Sequence, residues 1–140
     1  MKINNECARR ILFEVEKIPY GETLTVVKLQ EQMPEFSIED VLNIVTLFNK
    51  EHYLTVLDKA SYDYNDVLRD NKIKRLTEKG YKTLDLIRSD ELWNQIKETM
   101  PSFNETSIYT IFDLANKIAN VQQNKLFNLP EMMFTPKDRW

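Results

Sequence analysis

Glycine is nearly absent: the 140 residues carry two, Gly21 and Gly80. A dinucleotide fingerprint or a phosphate-binding P-loop needs several glycines within one short loop, where the backbone closes on the phosphates. Neither can be written with these two. One cysteine, Cys7, excludes an internal disulfide and a cysteine-cluster zinc site. One histidine, His52, excludes two-histidine metal motifs and weighs against histidine-based triads. What remains is a binding module. No enzymatic activity, cofactor, metal or small-molecule substrate is expected.

Hydrophobic spacing organises the chain into one domain over residues 1–123, with an apolar tail at 124–140. Asn4 or Asn5 caps a first helix to about Lys17, with Cys7, Ala8, Ile11, Leu12, Val15 and Ile18 on one stripe. Pro19-Tyr20-Gly21 ends it. A short extended piece, Glu22–Thr25, leads to a brief helix stopped before Pro34. Ser37-Ile38-Glu39-Asp40 resembles a capping box and opens a third helix to about Glu51. Tyr53–Leu57 and Lys72–Leu76 read as paired strands around a polar loop that carries Tyr62 and Tyr64. Thr77 caps a fourth helix with Tyr81, Leu84, Leu86 and Ile87 inward. Ser89-Asp90-Glu91 restarts it at a kink, and helical spacing spans about 77–99. Pro101 stops this stretch, and a last helix runs over about 103–123. The expected fold is mainly α with a small antiparallel β wing: a winged helix-turn-helix over about 4–88, then two C-terminal helices. The third helix is its recognition helix, and the 53–76 hairpin its wing.

Charge is uneven. The whole chain is net −3, yet residues 69–82 hold six cations against two acids. Lys72 and Lys74 alternate to one side of their strand with Ile73 inward, and Arg69 and Arg75 flank them. A basic wing of this kind grips phosphates; its plain structural alternative is an edge strand whose lysines block sheet-to-sheet pairing. On the third helix, Asn43 suits adenine, and Thr46 and Lys50 suit base or phosphate. Glu39 and Asp40 at its leading end oppose phosphate, although the helix dipole favours them there. His52 reads as a turn residue and Cys7 as core. Arg88 and Asp90 are expected to pair across the kink, with Trp93 filling the seam between the fourth and fifth helices and facing the last.

Four stretches, in this order, resemble the DUF2513 family of uncharacterised bacterial and phage proteins: MKINNECARRILFEVE, FSIEDVLNIVTLFNKEHYL, IKRLTEKGYKTLDLIRSDELWNQIKE and SIYTIFDLANKIA. The most specific is the third, with Thr77, Gly80, Ile87, Arg88, Ser89, Asp90, Trp93 and Lys97. The resemblance covers roughly residues 1–120 and implies a fold and a Gram-positive or prophage setting. It implies no activity.

The N-terminal stretch is charged throughout and is not read as a signal peptide. No apolar run approaches the roughly 18 residues of a membrane span. The expected location is the cytoplasm, where a lone thiol stays reduced. Two functions follow. One is a phage- or prophage-related regulator that binds duplex DNA through Asn43, Thr46, Lys50, Arg69, Lys72, Lys74 and Arg75, with the wing continuous with Lys2, Arg9 or Arg10. The other is a protein-interaction module using the acidic third helix and the tail. Seven large apolar residues in 124–140, among them Phe127, Leu129, Met132, Met133, Phe134 and Trp140, need a second surface. A homodimer is expected to supply it.

Overall fold

The computed structural model describes residues 3–57 and 72–131, with side chains through Val121. The chain runs α1 (Asn5–Glu16), β1 (Leu24–Thr25), α2 (Val26–Gln32), α3 (Ile38–Lys50), β2 (Leu54–Val56), β3 (Lys72–Leu76), α4 (Glu78–Ile87), α5 (Asp90–Thr99), a 3-10 turn (Phe103–Glu105) and α6 (Ile108–Glu131). It is mainly helical with one small antiparallel sheet, as the spacing predicts.

Most of the helix starts are set by side chains that the sequence marks. The Asn4, Thr25, Ser37, Thr77 and Ser89 side chains each accept a backbone N–H from the first turn they precede. Each satisfies a donor that the helix itself leaves open, worth about 1 kcal/mol. The kink between α4 and α5 falls at Ser89, as expected. The last helix differs from its expected span. It starts later, after the 3-10 turn, and runs beyond Gln123 to Glu131, across the expected start of the tail.

The sheet order is β1-β3-β2, both pairings antiparallel. β3 is therefore central, and the edge-strand account of its lysines does not hold. Leu24, Leu54, Val56, Ile73 and Leu76 bury the inner face. They meet the α1 stripe of Cys7, Ala8, Ile11, Leu12 and Val15 in one core, which extends to Val41, Ile44, Val45 and Phe48 of α3. Beyond it, Trp93, Ile96, Ile108, Ile111, Phe112 and Ala115 pack α5 and α6 onto the body.

One detail corrects the periodicity. Tyr81 faces outward, 41% exposed, because Gly80, Thr83, Leu84 and Ile87 take the inner face of α4. Gly80 sets that rotation: a Cβ there would lie 2.0 Å from the Tyr53 carbonyl oxygen. Only a residue without a side chain lets α4 approach so closely.

Candidate nucleic-acid interface

Strand alternation would turn one of two adjacent cations inward. A bulge removes that constraint. Thr55 pairs Arg75 and Val56 pairs Ile73, so Lys74 is the extra residue of β3. Lys74 and Arg75 consequently both point out, and Leu76 returns to the core. Lys72, Lys74 and Arg75 thus share the outer face of the sheet, and among the described residues none of them has an ion pair. Arg69, Tyr62 and Tyr64 lie outside the described residues.

The α3 candidates are placed differently. Lys50 is exposed, but Asn43 and Thr46 are half-buried. The Thr46 hydroxyl donates 2.7 Å to the Leu42 carbonyl, a bond internal to the helix. Glu39 and Glu35 are exposed near the leading end of α3. Arg9 and Arg10 do not extend the basic surface. Arg10 binds Glu14 at 2.8 Å, Glu35 at 3.0 Å and the Gln32 carbonyl at 2.9 Å, fastening the turn between α2 and α3.

Beside the bulge lies an open groove of about 1040 Å³, lined by Tyr20, Lys74, Arg75, Tyr81 and Lys82 among others. None of Asn43, Thr46 and Lys50 lines it. Its acids are Glu22, Glu78 and Asp85. Glu78 is paired with Lys82 at 3.3 Å and Asp85 with Arg88 at 3.0 Å.

The conspicuous polar residues after Thr77 do something else. They fasten α4 and α5 to the rest of the body. His52 stands at φ +65 after α3. Its N–H reaches the Asn49 carbonyl at 3.3 Å, and that of Tyr53 reaches the Phe48 carbonyl at 2.8 Å. This is a Schellman end with histidine in glycine's usual place. The next carbonyls are then taken by α4. The Thr77 hydroxyl donates to His52 at 2.5 Å, the Thr77 N–H to Tyr53 at 3.1 Å, and the Lys79 ammonium to Glu51 at 2.9 Å. Threonine and glycine three apart, Thr77 and Gly80, are thus two halves of one junction.

Arg88 and Asp90, expected to pair with each other, do not. Arg88 binds Glu16 at 2.6 Å and Asp85 at 3.0 Å, which holds the Glu16 carboxyl below the usual carboxylate range. Asp90 binds Arg9 at 2.9 Å, and Arg9 also donates to the Ile87 and Arg88 carbonyls at 2.9 and 3.0 Å. The Arg9 guanidinium lies 5.1 Å from the Trp93 ring centre. Trp93 is 2% exposed, but it sits against α1 and the 3-10 turn rather than only in the α4–α5 seam. Its indole N–H donates to Glu6, and its ring meets Phe103 edge-on at 5.3 Å. Lys97 is 3.5 Å from the same Glu6. Asn5, which sequence reading offers as a cap, instead donates to the Phe103 and Thr106 carbonyls at 2.8 and 2.9 Å. Sequence reasoning missed these roles of Asn5, Glu6 and Arg9. Their only local signal is three polar side chains beside an apolar stripe.

The family described as "Hypothetical protein (DUF2513)" matches residues 2–106. The chain belongs to the DUF2513 family. Comparison with curated proteins and with solved structures finds no match. The DUF2513 segment begins just before Asn5 and ends at Thr106, the two residues joined by a hydrogen bond. It includes the sheet, the groove and the whole fastening of α4 and α5 to α1. All of α6 lies outside it. The polar residues from Thr77 to Lys97 are therefore explained by packing. The cations of β3 and the groove tyrosines take no part in that fastening. Among the described residues, no helix is long and apolar enough to cross a membrane.

Proposed function

We propose that this DUF2513 chain is a cytoplasmic, non-enzymatic winged-helix protein that binds nucleic acid through the outer face of its sheet, in a phage- or prophage-related regulatory role. The element order and the β1-β3-β2 sheet support the winged-helix reading. The observation that carries the binding is the bulge, which sets Lys74 and Arg75 side by side with Lys72 on one exposed face. Those cations serve no interaction within the described fold, and phosphate is the ligand that such a row suits. Contact is assigned to the sheet rather than to α3, whose leading end is acidic and whose Thr46 hydroxyl is already bonded.

The test is fluorescence anisotropy against random-sequence duplex DNA across a range of salt. Lys72→Ala with Lys74→Ala should weaken binding for every sequence alike. It should also lower the salt slope by about two, close to one for each phosphate no longer neutralised. An unchanged slope would return the lysines to a purely solvating role.

A second reading, a basic protein partner docked on α3, is favoured by the exposed Glu39 at its leading end. Glu39→Lys separates the two: it leaves binding of DNA at the sheet face in place, and weakens a complex with a basic partner.

A further inference from the structure

The groove beside the β3 bulge points to a more definite ligand, and the inference rests on the nucleic-acid reading above. We propose that this groove takes unpaired bases of a nucleic-acid strand, stacked on Tyr20 and Tyr81, while Lys74 and Arg75 hold the flanking phosphates.

Tyr20 is 98% exposed, which leaves nearly its whole ring without a partner. It is nevertheless held on a tight turn. The Glu22 N–H reaches the Pro19 carbonyl at 3.0 Å, and Gly21 at φ +84 provides the left-handed third position that such a turn needs. An aromatic side chain on a short turn closed by its own hydrogen bond loses little further backbone freedom on binding. Tyr81 presents a second exposed ring to the same groove from α4. The bulge adds two cations to the same lining.

The charge balance selects the kind of strand. Lys82 compensates Glu78, and Arg88 divides its one charge between Asp85 and Glu16, so Lys74 and Arg75 stand against Glu22 and part of Asp85. A surplus this small gives weak attraction to a duplex, whose affinity comes chiefly from phosphate contacts. Two exposed rings instead offer stacking, which every base accepts and which a closed duplex withholds. The chemistry therefore favours bases that are already unpaired, in a bubble, an overhang or a free strand.

Three labelled probes of one sequence decide the matter with the full-length chain: a blunt duplex, the same duplex with an internal bubble, and the single strand as DNA and as RNA. The bubble and the strand should bind at least about tenfold more tightly than the blunt duplex. Tyr20→Ala and Tyr81→Ala should each remove about tenfold from the affinity for unpaired probes, with the salt slope unchanged. Tyr20→Phe and Tyr81→Phe should retain the affinity, since the ring and not the hydroxyl does the stacking. A melting curve for each variant separates weakened binding from a damaged fold, and Tyr20, without packing, should leave it unmoved. Equal affinity for blunt and unpaired probes overturns this inference, as do alanine variants that bind normally, while the sheet-face reading stands. A chain that binds none of the probes overturns both. A preference between the DNA and RNA strands identifies the source of the bases.

Discussion

His52 and Gly80 sit on opposite sides of the α3–α4 junction and make opposite demands. A non-glycine residue at positive φ costs about 1–2 kcal/mol. Glycine loses back roughly 0.5–1 kcal/mol through its freer unfolded chain. His52→Gly should therefore stabilise the fold by up to about 1 kcal/mol, read from the midpoint of urea unfolding. Gly80→Ala should destabilise by at least about 1–3 kcal/mol, since its new methyl collides with backbone and no flexible side chain can yield. Cys7 is fully buried, and burial, with Asp40 and Glu35 adding to it, pushes its thiol up to about 12. The native chain should therefore resist thiol reagents at neutral pH and react only once unfolded. The sign of the pH effect follows. The unfolded chain releases the thiol proton near the ordinary value of about 8.5 and the folded chain does not, so stability falls as pH rises toward about 12. The Tyr53 and Tyr109 phenols, also raised by burial, act in the same direction. Cys7→Ala should make the unfolding free energy fall less steeply between neutral and alkaline pH.

Among elements, α1 is the one on which the others are hung. Arg9 is its main polar contact with α4 and α5: one planar fork satisfies two carbonyls at the end of α4 and a carboxylate at the start of α5. Arg9→Ala should cost about 1.5–3 kcal/mol, the range for hydrogen bonds to charged groups. Arg9→Lys should recover little of it, because an ammonium cannot reproduce the fork. Thermal denaturation of both variants checks this. Trp93→Ala should cost about 3–5 kcal/mol, and Trp93→Phe much less, with the remainder reporting the hydrogen bond to Glu6. These elements also show how far the chain could be read in advance. Helices α1 to α5, the three strands and the helix caps follow from apolar spacing and from Asn, Thr and Ser at the starts. Those signals are local. The partners of Arg9, Arg88 and Trp93 lie roughly 70 to 90 positions away, and no periodicity encodes them. The bulge is equally invisible, because it is a mismatch between two strands and belongs to neither alone. Of the candidate site, Lys72 and Lys74 are legible as an alternating basic strand, and Arg75 joins their face only through the bulge. The groove is not, since Tyr20 and Tyr81 meet only through the fold.

At the scale of the molecule, α6 is the longest helix of the described chain, Ile108–Glu131. Its inner face is buried through Ala115, and Val121 is 53% exposed. The expected docking residues Phe127 and Leu129 have side chains outside the described residues, as do Met132, Met133, Phe134 and Trp140 altogether. A homodimer that covers this end should give a mass near twice 16.7 kDa by light scattering, and a single-chain mass at high concentration would reject it. The bond from Asn5 to Thr106 has a different kind of consequence, one of timing. Ribosomes add about 5–20 residues each second. The first helix is therefore made several seconds before the residues that must clasp it exist. Until then its apolar stripe has only the sheet, α2 and α3 to pack on, and its unused Asn5, Glu6 and Arg9 are open to water, chaperones and proteases. A nascent chain stalled before Trp93 should keep α1 cleavable, and release past Thr106 should close it in one step.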